Sequence, residues 1–86
     1  MERVEYLVCR RGGRWTLVHD GRDVGRYDTR EVAVSVGIDA ANGAGLQGAA
    51  AVVREEVPDG APRTVWTYGR DPYLGPLKER SSPEFR

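Results

Sequence analysis

An α+β fold is predicted by three features of this 86-residue chain. Two tight-turn signals, Gly12-Gly13 and Asp20-Gly21, lie close together near the start. Short runs of alternating apolar residues flank them, and one longer Val/Ala-rich stretch follows an acidic, hydroxyl-bearing opening. Together they predict a small antiparallel sheet in the order β-β-β-α-β-β. One helix packs on one face, and a disordered C-terminal tail follows. Residues 1–70 are expected to form a single domain and 71–86 the tail.

The elements follow in order. Val4–Cys9 alternates, with Val4, Tyr6 and Val8 on one face and Glu5, Leu7 and Cys9 on the other. Arg10-Arg11-Gly12-Gly13 turns the chain, because paired glycines supply the positive φ that a hairpin needs. Arg14–His19 is the second strand, with Trp15, Leu17 and His19 sharing a face. Asp20-Gly21 is a two-residue hairpin signal, and Asp23–Tyr27 is a short third strand. A helix opens near Asp28-Thr29-Arg30-Glu31. With Asp28 as N-cap, Glu31 completes a capping box; with Thr29 as N-cap, Val32 takes the third position and the reciprocal bond is lost. The run after it alternates at Val32, Val34, Val36 and Ile38 like a strand. Ala33, Val36, Gly37, Ala40 and Ala41 also fit one helical face. The acidic start and the Asn42-Gly43 stop favour a helix ending there. Ala49–Glu55 is the fourth strand, Val57-Pro58-Asp59-Gly60 a turn and Thr64–Tyr68 the fifth strand. Beyond Gly69, prolines and charges leave no apolar period, although Tyr73 and Leu74 are placed to pack back.

Composition narrows the function classes. Lysine plus arginine and aspartate plus glutamate are 13 each, giving zero net charge. A general nucleic-acid binder carries a net positive charge or a one-sided basic patch. A single cysteine excludes an internal disulfide framework and a Cys-rich metal site. The opening MERVEY has no apolar signal core, and the least charged stretch, Val32–Val53, still contains Asp39. A cytoplasmic location and no membrane contact are expected. No catalytic, cofactor-binding or metal-binding set is expected either. GAGLQG (Gly43–Gly48) has the letters of a dinucleotide fingerprint, but it follows a helix and precedes a strand, which is the wrong polarity. His19 and Asp20 point to opposite faces, and Ser35, Ser81 and Ser82 have no activating base. Cys9 reads as a small strand residue.

With the elements placed, the order Gly-Gly-Arg-Trp, Asp-Gly, Tyr-x-Thr-Arg-Glu and Tyr-Gly-Arg-Asp-Pro resembles the bacterial domain-of-unknown-function 2188 family. The residues that carry it are Gly13, Trp15, Gly21, Tyr27, Thr29, Glu31, Ala33, Tyr68, Gly69, Asp71 and Pro72. They span about Tyr6 to Tyr73. The chain departs from that pattern at Val32, where members often carry a second Glu. The resemblance implies a compact β-β-β-α-β-β domain and no activity. Arg11–Ala41 also resembles, more weakly, the plant AP-two type and integrase N-terminal DNA-binding domains, which read DNA from an exposed three-stranded sheet face.

Two surfaces carry candidate roles. Arg10, Arg11, Arg14, Arg22 and Arg26, interleaved with Trp15 and Tyr27, suit phosphate contacts and base stacking; Glu5, Asp20, Asp23 and Asp28 oppose that field. Trp66, Tyr68 and Tyr73 suit either core closure or a partner-binding ledge. The expected function is that of a small non-catalytic accessory or protein-interaction module. Its partner is another protein or, through the third or fifth strand, a second copy in a weak homodimer. Nucleic-acid binding through the arginine face is the alternative.

Overall fold

A computed structural model describes residues 2–75. The expected order is found: β1 (Arg3–Arg11), β2 (Arg14–His19), β3 (Arg22–Tyr27), α1 (Arg30–Leu46), β4 (Ala50–Glu55) and β5 (Arg63–Thr67). Both early turns use left-handed backbone. Gly12 and Gly13 have φ of 57° and 79°, and Asp20 and Gly21 have 53° and 76°. That conformation matches the twist of the strands it joins.

The strands make one sheet in the order β3-β2-β1-β4-β5. β1–β2, β2–β3 and β4–β5 are antiparallel, whereas β1–β4 is parallel, with Val4 opposite Ala51 and Val8 opposite Glu55. The sheet is therefore mixed rather than wholly antiparallel. The cause is the helix. After two hairpins β3 runs in the direction of β1, and α1 carries the chain back before β4 begins. β4 then enters in that same direction and takes the free edge of β1.

α1 begins at the second of the two possible caps. Thr29 is the N-cap, and its hydroxyl accepts a hydrogen bond from the Val32 amide at 3.1 Å. The helix then passes the expected stop at Asn42-Gly43 and continues to Leu46. Its buried residues are Ala33, Gly37, Ala41 and Gly45, one every fourth position. Small side chains let the helix lie close on the sheet. A methyl group at Gly37 would sit 3.1 Å from Leu17 Cδ1 and 3.3 Å from Val53 Cγ1. At Gly45 the Tyr68 ring occupies the place of a methyl group, and this contact accompanies the last turn of the helix.

The core lies between α1 and the sheet and comprises Val8, Leu17, Ala33, Ala41, Ala51, Val53 and Trp66. Trp66 is 5% exposed. Its indole N–H donates to the Pro72 carbonyl at 3.0 Å, and the Tyr73 hydroxyl donates to Asp39 Oδ1 at 3.0 Å. Asp71 Oδ2 accepts from the Thr67 amide at 2.8 Å. The chain from Asp71 to Tyr73 is thus tied to the domain, although it falls within the expected tail. Residues 76–86 of that tail lie outside the described residues.

Candidate functional site

Glu55 is the one acidic side chain in the buried class among the described residues. Strand alternation places it after Ala51 and Val53 on the helix side of β4. Arg30, in the first turn of α1, donates to it through Nε at 2.6 Å and through a terminal nitrogen at 2.7 Å. Arg63, its cross-strand neighbour on β5, donates at 3.2 Å. This fork-on-carboxylate geometry is the strong form of an ion pair. The Arg30 hydrogen bonds hold the Glu55 carboxyl below the usual carboxylate range, outweighing the opposite effect of burial, and the Arg30 guanidinium is pushed up in turn. Glu55 is thus a fixed anion that joins helix, central sheet and edge strand.

Beside this triad lies a cleft of about 720 Å³, lined by Arg10, Trp15, Glu55, Glu56, Pro62 and Arg63, with Val57, Pro58 and Gly60 completing the far wall. Its position follows from the topology. β1 and β4 run side by side from Arg3 and Ala50 to Val8 and Glu55, where β4 ends and β1 continues to Arg11. The chain then leaves β1 toward β2 on one side and leaves β4 toward β5 on the other. Where adjacent parallel strands end and their connections diverge, a crevice remains at the carboxyl ends, and ligands of open sheets bind in such places. Arg10 and Trp15 face each other across the β1–β2 ladder. The Arg10 guanidinium stacks over the half-buried indole at 5.3 Å from the ring centroid.

The five arginines singled out in the sequence do not form one cluster. Arg10 lines the cleft. Arg11 and Arg26 both pair with Asp23, at 3.2 and 3.4 Å, on the face of the sheet opposite α1. Arg14 pairs with Asp28 at 3.4 Å, and Arg22 is exposed at the start of β3. On the same open face Arg54 lies 3.5 Å from Glu5. Arg11, Arg14, Arg26 and Arg54 thus each have a carboxylate beside them, with Arg11 and Arg26 sharing that of Asp23. Trp66 is spent in the core rather than on a ledge, Tyr68 packs over Gly45, and Tyr73 bonds to the helix. The ring of His19 stacks on Tyr6 with centroids 4.6 Å apart, and its Nδ1 is 3.2 Å from the Glu5 carbonyl oxygen. Its Nε2 lies 3.6 Å from Asp20 Oδ2, not on the opposite face as strand alternation implied, because Asp20 sits in the turn with a φ of 53°. Cys9 is buried. Gly43 and Gly45 of the GAGLQG segment are helical, not part of a loop.

Sequence reasoning missed Arg30, Glu55 and Arg63. The available signal is Glu55 itself, a charge at an inward position of an otherwise apolar strand, which demands a counter-charge. Among the described residues no group of three or more His, Cys, Asp or Glu side chains is placed to hold a metal ion. None of the described helices is long and apolar enough to cross a membrane. Comparison with protein-family models, with curated proteins and with solved structures finds no match to this chain.

Proposed function

We propose that this protein is a small non-catalytic binding module that engages a protein partner through the cleft at the ends of β1 and β4. The carrying observation is the cleft's construction. A stacked Arg10–Trp15 pair forms one wall and the Pro58–Pro62 loop the other, with Glu55 and Arg63 of the ion-paired triad in the lining. A volume of 720 Å³ falls within the ordinary range for ligand clefts. The residues in it recognise rather than react. Glu55 is held as an anion by two arginines and is a poor proton carrier near neutral pH.

Pairing of Arg11, Arg14 and Arg26 with aspartates weighs against the alternative, a nucleic-acid interface on the open face, because phosphate binding draws on unmatched positive charge. The test is selection of displayed random peptides on the immobilised domain, with counter-selection on a Trp15→Ala, Pro62→Ala variant whose fold is checked by its amide spectrum. Sequences that bind the native domain and not the variant support the reading. Selection that returns only sequences indifferent to the variant overturns it.

A further inference from the structure

The charges around the cleft point to the chemistry of its occupant. We infer that the cleft accepts an extended peptide segment that sets a single carboxylate side chain between Arg10 and Arg63, with a proline or other apolar neighbour against Trp15 and Pro62. The inference rests on the binding-module reading and specifies its ligand.

The register places the parts. Val8 lies opposite Glu55, and Glu55 lies opposite Arg63, so all three project on the helix side. Arg10, two residues beyond Val8, projects on that side as well, opposite Trp15. The two guanidinium groups therefore flank the cleft on the same side of the sheet. Neither is committed to the extent that Arg30 is. Arg63 makes one contact at 3.2 Å to Glu55, and its side chain is 65% exposed. Arg10 makes one long contact, 3.4 Å to the Gly13 carbonyl, and is exposed. Both retain donors for a ligand oxygen.

Charge counting sets the size of the anion. With Glu55 neutralised by the Arg30 fork, the cleft lining sets Arg10 and Arg63 against Glu56 and keeps one unmatched positive charge; Asp59, in the same loop, is not part of the lining. One carboxylate neutralises it. A phosphate dianion overshoots it and meets Glu55 and Glu56 in the lining. The apolar lining sets the rest. An indole with Val57, Pro58 and Pro62 opposite makes a trough of the kind that receives proline rings in an extended, preorganised chain.

The experiment is an amide and indole N–H NMR titration of the 86-residue chain with the capped pentapeptide Ala-Pro-Glu-Pro-Ala. The same peptide with Gln, and with phosphoserine, in place of its Glu is titrated alongside. Each is taken to about 10 mM, because a ligand with one ion pair and two ring contacts binds in the millimolar range. The expected result is saturable shifts confined to the Trp15 indole, Arg10 and residues 55–63. Binding is about ten-fold weaker for the Gln peptide and for Arg10→Gln, which leaves the Glu55 triad intact. Arg70→Gln, remote from the cleft, changes nothing. Equal affinity for the Gln peptide, tighter binding of the phosphoserine peptide, or absence of cleft shifts overturns the inference. If library selection still yields cleft-dependent peptides without an acid, the binding-module reading stands while this inference fails. If selection also yields none, both fail.

Discussion

Glu55 carries its charge on a side chain only 10% exposed, and the two arginines that hold it come from different elements. Removing one partner leaves a buried charge undersatisfied, which costs more than the net worth of the pair. Arg30→Met is expected to lower stability by roughly 1–3 kcal/mol, a fall in Tm on the order of 10 °C for a domain of this size, measured by thermal circular dichroism. The pH dependence has a definite sign. The folded carboxyl titrates below its ordinary value of 4.5, so its contribution is fully present above about that pH. It is lost as pH falls through the depressed folded value. Wild type is therefore expected to exceed Glu55→Gln in stability by a constant margin from pH 7 to about 5, with the margin shrinking below that. Urea unfolding at a series of pH values checks this. A margin that grows toward acid pH contradicts the assignment. Of the cleft and its neighbouring triad, Arg10 and Trp15 were visible in the sequence as an arginine cluster with an aromatic neighbour. Arg30 and Arg63 were not, because their meaning depends on Glu55, which lies 25 residues from one and 8 from the other.

The helix shows how tertiary packing decides what local preference leaves open. Its valines and glycines lower helix propensity, and Asn42-Gly43 reads as a stop. The chain nonetheless stays helical to Leu46, with Gly45 seated under Tyr68. The two last glycines therefore respond in opposite ways to the same change. Gly43 is exposed, with nothing within 4 Å of an added methyl group, so Gly43→Ala is expected to stabilise by about 0.5–1 kcal/mol. Gly45→Ala displaces the Tyr68 ring and is expected to cost roughly 1–3 kcal/mol despite the same gain in propensity. Chemical denaturation of the pair measures both, and equal effects would contradict the packing described. The hairpins needed no such help. Gly12-Gly13 and Asp20-Gly21 adopt the left-handed turns that their letters signal. The parallel pairing of β1 with β4 was not legible, since its partners lie far apart in sequence and alternation specifies a face, not a neighbour.

Both edges of the whole sheet are blunted. The β2–β3 ladder breaks register between Leu17 and Val18, and the β4–β5 ladder between Val53 and Arg54. β3 carries Arg22, Asp23 and Arg26, and the Thr67 amide of β5 is taken by Asp71. Bulges and edge charges oppose strand addition. The domain is accordingly expected to remain monomeric at about 100 μM by light scattering, against the two-copy assembly that an unprotected strand permits. Its amide spectrum is expected to be unmoved by a short DNA duplex at moderate salt, because Arg11, Arg14, Arg26 and Arg54 of the open face already lie against carboxylates. Shifts at Arg11, Arg14 and Arg26 that fade with added salt would reverse that expectation.

The parallel ladder of β1 and β4 gives the first strand an unusual place in the assembly sequence. β1 is made before the other four strands, yet its second flank stays bare until residues 50–55 have been made. The hairpins can close on the microsecond scale, but the central seam waits for a loop running from Arg3 to Ala50 to shut. Strand β1 is thus the first of the five strands to be made, and its second side stays open until the fourth is made. Deleting residues 3–8 would not trim an end; it would divide the molecule down its middle.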